Sequence, residues 1–185
     1  MATPNRPSGD WKFAAIAVAA MVASLLAPPP ANAGVDAKSG IAIDSEINCL
    51  ALTIYFEARG EPDRGKLAVG HVVLNRASSP RYPERICAVV RQGGGWPRFR
   101  CQFTWWCDGR SDDTGEVLAW KQSQAFARRI FWGLSIDPTA GALWYHAVYV
   151  KPVWRKVLGA GEAIGRHIFY PANGGAAVRA ARLEP

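Results

Sequence analysis

Hydrophobic side chains recur at helical spacing in the first half of the chain. After Ser45, a suitable N-cap, one such repeat predicts a helix over residues 46–59. A second repeat follows Pro62, which suits the first turn of a helix, and predicts a helix that runs to Asn75. The apolar positions of the two repeats are Ile47, Leu50, Ala51, Ile54, Leu67, Ala68, Val72 and Val73.

The second half of the chain combines helical and strand-like segments. A short helix is predicted over residues 84–91, and the glycines after it lead into a loop or hairpin that reaches Gly109. Apolar and polar faces then alternate at helical spacing over residues 115–134, which indicates a long amphipathic helix. Strand-like runs follow at 142–149 and 167–170. These elements predict an α+β fold that is mostly helical, with short strands and aromatic loops.

The N-terminal residues follow the order of a signal peptide. Arg6 and Lys12 precede an apolar run at residues 13–27, and three prolines and a small-residue triplet ending at Ala33 come after it. The run is about fifteen residues long, whereas a helix needs roughly 20 to cross a bilayer, and the prolines prevent its extension. We therefore expect cleavage after Ala33, export, and no stable membrane anchor afterwards.

The rest of the chain has the size of one domain. Removing residues 1–33 leaves about 150 residues, enough for a core that is stable alone. Residues 34–45 show no periodicity and are expected to form a short leader. The domain is predicted to span residues 46–170 and to be a monomer. Residues 171–185 are rich in Ala, Gly and Arg, and we expect a disordered tail there.

The charge of the chain limits its partners. The formal net charge is +7 at pH 7, and a surface of this sign attracts nucleic acid, anionic lipid or a carboxylate-rich cell wall. Export argues against nucleic acid. The positive charge has a second interpretation, because it also keeps a domain soluble.

The four cysteines lie after the predicted cleavage site, and an even number in an exported chain indicates two disulfides. Cys101 and Cys107 are close in sequence, so a bond between them would close a tight aromatic loop. Cys49 and Cys87 would then join two distant segments, and this is the pairing we expect. Zinc is the alternative, but the chain has no Cys-x-x-Cys spacing and an oxidising compartment favours disulfides.

Glu57 is the most informative polar residue. It lies on the apolar stripe of the first predicted helix, in line with Leu50 and Ile54. Burial, the negative end of the helix dipole and repulsion from Glu61 would each raise its pKa. Arg59 points about 160° away on a regular helix and is not expected to neutralise it. A carboxylic acid that stays protonated near neutral pH is what a general acid requires. The alternative is a glutamate that reaches solvent or caps the next helix.

Several segments resemble the SleB/CwlJ-type cell-wall hydrolases. The resemblance rests on residues 51–62, 65–76, 101–109, 137–146 and 165–170, and its most specific piece is the block Tyr-Phe-Glu-Ala-Arg-Gly-Glu in the first of these. It implies a lysozyme-like fold and cleavage of peptidoglycan between N-acetylmuramic acid and N-acetylglucosamine. It also implies that the first glutamate of the block acts as acid and then as base, without a cofactor or metal.

The resemblance leaves the nucleophile open. In family members that are lytic transglycosylases, the 6-hydroxyl of the sugar attacks and one carboxylate suffices. A two-carboxylate glycosidase needs a partner within roughly 5 to 9.5 Å of the acid. The candidates for that partner are Glu61, Asp108 and Asp112, and the sequence does not single out one of them.

Other polar and aromatic residues are candidates for binding the glycan. The polar candidates lie in or beside the segments of the resemblance, and they are Asn75, Gln102, Thr104, Asp108, Tyr145 and His146. Flat faces for stacking on sugars are offered by Trp96, Trp105, Trp106 and Trp144. Trp120 and Trp132 fall on the long predicted helix, and we expect them to pack in the core. For Asn75, bonding to local backbone is the alternative.

Two other functions remain open. A zinc amidase that cuts between muramic acid and L-alanine would use His71, His146 and His167 as ligands and Glu57 as base, although these histidines lack a short ligand spacing. A noncatalytic wall-binding domain would use only the basic surface. All three hypotheses have peptidoglycan as the partner and the periplasm or cell wall as the location.

Overall fold

The computed structural model describes residues 37–93 and 101–172. The predicted signal peptide, Trp96 and residues 173–185 of the predicted tail lie outside this part. From Lys38 onward, the described residues form one compact unit. Its elements are α1 (Ala37–Ala58), α2 (Asp63–Ala77), α3 (Ile86–Val90), a 3-10 turn (Thr104–Trp106), α4 (Val117–Phe131), β1 (Ala142–Ala147), α5 (Arg155–Leu158), β2 (Glu162–Ile164) and β3 (His167–Pro171). None of the helices in this part is both long and apolar enough to cross a bilayer.

Helix α1 begins nine residues before the predicted start. Most of the segment expected to be a leader is therefore helical, and Ser45 lies inside the helix instead of capping it. Ile43 packs against the core, and this contact supports helix that the local sequence pattern does not indicate. Helix α2 agrees with its prediction more closely, because Pro62 directly precedes its first residue and it ends two residues after Asn75.

A three-stranded antiparallel sheet in the order β1-β3-β2 completes the fold. The sequence predicted β1 and β3, but not β2 or α5. In the pairing of β1 with β3, Tyr145 lies opposite Phe169 and His146 opposite Ile168. The fold is α+β and mostly helical, as predicted.

Helix α2 lies at the centre of the packing and contributes to both hydrophobic clusters. Its Val73 joins the larger cluster with residues of α1, α3 and α4, and its Val69 joins the smaller one with the buried Phe169 of β3. Gly70 allows the close approach of neighbouring helices, because a Cβ there would overlap the side chains of Ile130 and Ile54.

Two disulfides fix the irregular parts of the chain. Cys49 is bonded to Cys87, which ties α1 to α3. Cys101 is bonded to Cys107, which closes the loop that contains the 3-10 turn. This is the pairing expected from the spacing of the cysteines.

The turn between α1 and α2 is fastened to the sheet through Glu61. Its Oε1 accepts a hydrogen bond from Nε of Arg166 at 2.7 Å, and its Oε2 accepts one from the backbone N–H of Arg166 at 2.9 Å. Gly165, with φ of +59°, leaves the space that the carboxylate fills, because a Cβ there would overlap Oε2. Glu61 is only 5% exposed, so these bonds are its main compensation for lost hydration.

We expect Glu61→Gln to lower the free energy of unfolding at neutral pH by about 1 to 3 kcal/mol, because the amide has no charge and only one acceptor oxygen for the two donors of Arg166. Burial raises the pKa of Glu61, but the bonds from Arg166 outweigh it and hold the pKa below the ordinary 4.5. The stabilisation is therefore present above 4.5 and is lost as the pH falls through the folded value. Urea titrations at neutral and acidic pH should show the deficit of the variant shrinking in acid.

Glu162→Gln is the matched control, because Glu162 pairs with Arg64 at 3.0 Å near the surface, where ion pairs contribute little. An equal loss of stability in the two variants would contradict the structural role of Glu61.

Candidate active site

A cleft of about 450 Å³ lies between the end of α1, the end of α2, the loop closed by the second disulfide, and the sheet. It brings together five residues that the sequence predicted to be functional. They are Glu57, Gln102, Thr104, Tyr145 and His146. A cavity of about 400 Å³ near Ile43 and Phe131 is mainly apolar and contains none of these residues. The candidate chemistry therefore concentrates in the first cleft.

Glu57 occupies the last turn of α1 and is half-buried. Burial raises its pKa above the ordinary 4.5, while a hydrogen bond from Tyr145 and the positive charge of Arg76 act in the opposite direction. The net shift is upward, as the sequence predicted. Repulsion from Glu61 was expected only if the helix continued to that residue, and it is not among the causes, because the chain turns after Ala58 and Glu61 faces Arg166. Arg59 binds Glu116 at 2.8 Å and does not neutralise Glu57.

Tyr145 holds the carboxyl group from the opposite wall. Its hydroxyl donates a hydrogen bond to Oε2 of Glu57 at 3.1 Å. The ring stacks on Phe169 at 5.4 Å and meets the edge of His167 at 5.3 Å, so its position is set by the sheet. Burial raises the pKa of Tyr145 well above 10.0, which keeps the hydroxyl protonated and able to donate.

Arg76 is a site residue that the sequence reasoning missed. It is 3% exposed, and its Nε donates to the carbonyl oxygen of Leu143 at 2.8 Å. Its guanidinium lies against the rings of Tyr82 and Phe103. Burial lowers its pKa, yet an arginine in a protein stays charged near neutral pH. Basic residues are common in the last turn of a helix, where they interact with the free carbonyl groups. Arg76 is distinguished only by its burial, which the sequence does not reveal.

Asn75 and Asp108, which the sequence predicted to bind substrate, are not among the residues that line the cleft. Asn75 precedes Arg76, and one step along a helix turns it to another side. There its Nδ2 donates to Oδ2 of Asp137 at 2.9 Å and to the carbonyl oxygen of Ala142 at 3.2 Å. Asp108 accepts a hydrogen bond from the backbone N–H of Arg110 at 2.9 Å within its own turn. Asn75 thus joins the end of α2 to the segment that leads into β1, whereas the contact of Asp108 is local.

The histidines occupy different places. Nδ1 of His146 donates to the carbonyl oxygen of Ala147 at 2.8 Å, so its Nε2 accepts from the hydroxyl of Tyr170 at 2.9 Å in the neutral ring. His167 also lines the cleft, whereas His71 lies outside it and contacts Ser135 at 3.0 Å. Within residues 37–93 and 101–172, no three His, Cys, Asp or Glu side chains are grouped to hold a metal.

Several of the described tryptophans differ from their predicted roles, whereas Trp120 packs against the core as expected. Trp105 is buried and stacks on Phe56 at 4.9 Å, so it belongs to the core and is not a sugar platform. Trp106 and Trp144 do not line the cleft. Trp132 is 57% exposed, contrary to its expected place in the core, because α4 ends just before it. The aromatic lining of the cleft comes instead from Phe56, Phe103, Tyr145 and Tyr149.

None of the three carboxylates considered as a partner for Glu57 reaches the cleft. Glu61 binds Arg166, and neither Asp108 nor Asp112 lines the wall. Among the described residues that line the cleft, Glu57 is the one carboxylic acid.

The chain is similar to known cell-wall hydrolases. The sequence profile of the family described as Cell Wall Hydrolase matches residues 60–170. A spore cortex-lytic enzyme of Bacillus cereus is 32% identical over 149 residues, which are 76% of this chain and 49% of that enzyme. A spore cortex-lytic enzyme of Halalkalibacterium halodurans is 31% identical over 135 residues, 68% of this chain and 34% of that enzyme. The chain thus spans about half the length of these relatives or less.

Two solved structures are similar to the fold. The catalytic domain of the Bacillus cereus SleB protein aligns with a TM-score of 0.52 at 30% identity, over 69% of this chain and 90% of that domain. The catalytic domain of the germination-specific lytic transglycosylase SleB from Bacillus anthracis aligns with a TM-score of 0.51 at 30% identity, over 68% of this chain and 93% of that domain. These matches confirm the predicted resemblance and the lysozyme-like fold class.

We expect Glu57→Gln to raise the stability of the folded protein at neutral pH. Because the pKa of Glu57 is raised on folding, its stabilising contribution is fully present below the unfolded pKa and is lost as the pH rises through the folded value. The amide carries no charge to desolvate, so the advantage of the variant should grow with pH. Thermal unfolding from acidic to neutral pH measures the difference in stability between the protein and the variant, and Glu116→Gln at an exposed position is the control. An advantage that is largest in acid would contradict the burial of the carboxylate.

Proposed function

Because the chain belongs to the Cell Wall Hydrolase family, we propose that it cleaves peptidoglycan glycan strands between N-acetylmuramic acid and N-acetylglucosamine, with Glu57 as general acid and then base. The observation that carries this proposal is a carboxyl group of raised pKa that lines an open cleft and faces no neighbouring carboxylate among the residues described there. A raised pKa favours the protonated form of the group, and this form can give its proton to a glycosidic oxygen.

In the first half of the reaction, the proton of Glu57 passes to the glycosidic oxygen and the bond from that oxygen to the sugar C1 breaks. Positive charge develops at C1, and Glu57 becomes a carboxylate. The hydroxyl of Tyr145 and the charge of Arg76 then stabilise this carboxylate, since both lower its pKa. Burial favours the acid and these two contacts favour the base, so one residue can serve in both halves of the reaction.

The absence of a second carboxylate among the described cleft residues supports the internal hydroxyl as nucleophile. In this route the carboxylate of Glu57 takes the proton of the C6 hydroxyl while that oxygen bonds to C1. The product is a 1,6-anhydro sugar, and the acid form of Glu57 is restored. Attack by water assisted by a second carboxylate would need a partner within roughly 5 to 9.5 Å. We therefore propose a lytic transglycosylase.

The charge of the chain is consistent with this substrate. A net charge of +7 attracts the carboxylates of peptidoglycan, and these are accessible to an exported protein. We propose that the protein acts as a monomer in the periplasm or the cell wall, without a cofactor. The amidase alternative has little support from the site, because both ring nitrogens of His146 already have partners within the protein.

Digestion of purified peptidoglycan, with the soluble products identified by mass spectrometry, tests the proposal. We expect anhydro-muramic ends from the protein and a fall in rate of about 10²- to 10⁴-fold in Glu57→Gln, the usual contribution of a general acid. Glu116→Gln removes a carboxylate from an exposed surface pair and should leave the rate unchanged.

Each other product contradicts a particular part of the proposal. Reducing ends would show that water, and not the internal hydroxyl, is the nucleophile. Freed stem peptides, lost on addition of a chelator, would indicate the zinc amidase. Binding to the wall without soluble products, equally in the protein and in Glu57→Gln, would indicate a noncatalytic wall-binding domain.

A further inference from the structure

The amide of Gln102 has a defined orientation in the cleft. When its oxygen faces Arg76, that oxygen accepts from Nη1 at 3.1 Å and from Nη2 at 3.2 Å. The opposite orientation would place the amide NH₂ against two N–H donors that never accept. Arg76 therefore engages the oxygen of Gln102, and the NH₂ group is left for the cleft that this residue lines.

Both partners of this contact are held in place. Arg76 is buried, and its Nε donates to the carbonyl oxygen of Leu143 at 2.8 Å. The backbone N–H of Gln102 donates to the carbonyl oxygen of Gln92 at 2.9 Å, and the preceding residue, Cys101, is in a disulfide. Because Arg76 and the backbone of Gln102 are both fixed, the two bonds from Arg76 orient the amide as a donor before substrate arrives.

We propose that Gln102 forms a subsite for the carbonyl oxygen of an acetamido group on the glycan, and that this subsite rejects sugars whose acetyl group has been removed. The inference rests on the proposed function for its substrate. A carbonyl oxygen is a strong acceptor for the free NH₂ of Gln102. The hydroxyl of Thr104, two residues along the same rim, can accept the acetamido N–H, so the loop offers both kinds of partner that an acetamido group needs.

The orientation of the Gln102 amide also explains why a sugar without its acetyl group would be rejected. A sugar without its acetyl group carries an ammonium, which has three donors and no acceptor. At this subsite the ammonium would meet the NH₂ of Gln102 with the positive charge of Arg76 behind it. Unpaired donors and like charge both disfavour that complex, so the specificity has an attractive and a repulsive component.

Gln102→Glu is the informative variant. A carboxylate of the same shape still accepts from both guanidinium nitrogens of Arg76, but it replaces the free donor with a negatively charged acceptor. Binding is measured by pelleting with insoluble peptidoglycan, either fully N-acetylated or de-N-acetylated, in the Glu57→Gln background so that no wall is digested. We expect about tenfold weaker binding to the acetylated wall, the usual effect of one lost hydrogen bond, and tighter binding to the de-N-acetylated wall.

The charge control is Gln122→Glu, which adds the same charge at an exposed position of α4 outside the cleft. The measured result is the ratio of the affinities for the two walls, compared between each variant and the Glu57→Gln parent. A ratio that Gln102→Glu leaves unchanged, or that Gln122→Glu changes by the same factor, would overturn the subsite. Gln102→Leu, which removes the donor without adding charge, should weaken binding to the acetylated wall alone.

The binding ratio and the digestion products report on different statements. If Gln102 determines a preference for the acetylated wall but no soluble products form, the subsite is supported and the proposed activity is contradicted. If anhydro products form but the binding ratio is unchanged, the activity is supported and the subsite is contradicted. Failure of every variant to bind either wall would overturn the subsite together with its assumed substrate.

Discussion

The contact between Glu61 and Arg166 is the constraint on which the rest of the site depends. It fastens the short turn after α1 to the hairpin of β2 and β3, and that hairpin carries the strand that pairs with β1. Glu57 stands one turn before the contact on α1, and Tyr145 stands on β1. The distance of 3.1 Å between their oxygens is thus maintained by a carboxylate that takes no part in the proposed chemistry.

Two glutamates four residues apart illustrate how environment determines the role of one residue type. Glu57 is largely removed from water, and burial outweighs both the hydrogen bond from Tyr145 and the nearby charge of Arg76, so its pKa rises. Glu61 is also buried, but a backbone N–H and a guanidinium bind it directly and its pKa falls. The first is suited to carry a proton and the second to carry a permanent charge, which is the division expected between an acid catalyst and a structural ion pair.

Arg76 connects the chemical and the recognition sides of the cleft. Its charge acts on Glu57, its Nε fixes it to the start of β1, and its remaining donors face Gln102. A single buried cation with five fixed donors can hold several acceptors in one geometry, which a lysine with a flexible stem could not do. The same residue is therefore coupled both to the proton affinity of the proposed acid and to the orientation of the proposed binding group.

Much of the fold followed from the sequence, because helix α2, the amphipathic α4 and strands β1 and β3 have periodicities and end signals that are local. Both disulfides also agree with cysteine spacing, since a short loop and a long one leave one natural pairing. The early start of α1 and strand β2 did not follow, because they are stabilised by the contact of Ile43 with the core and by pairing with β3. The short helix α5 has no buried residues, and no local pattern marks it.

For the site, local spacing was enough to predict a glutamate on the buried stripe of α1, since apolar spacing and helix geometry are properties of neighbouring residues. The sequence also marked Gln102, Thr104, Tyr145 and His146, which the structure brings into the same cleft. The fold is needed to see that Arg76 and not Asn75 faces that cleft, and that Glu61 turns to Arg166 instead of opposing Glu57. These choices depend on the rotation of one helix and the path of one turn. Both are set by packing between segments that are far apart along the chain, which a local pattern does not encode.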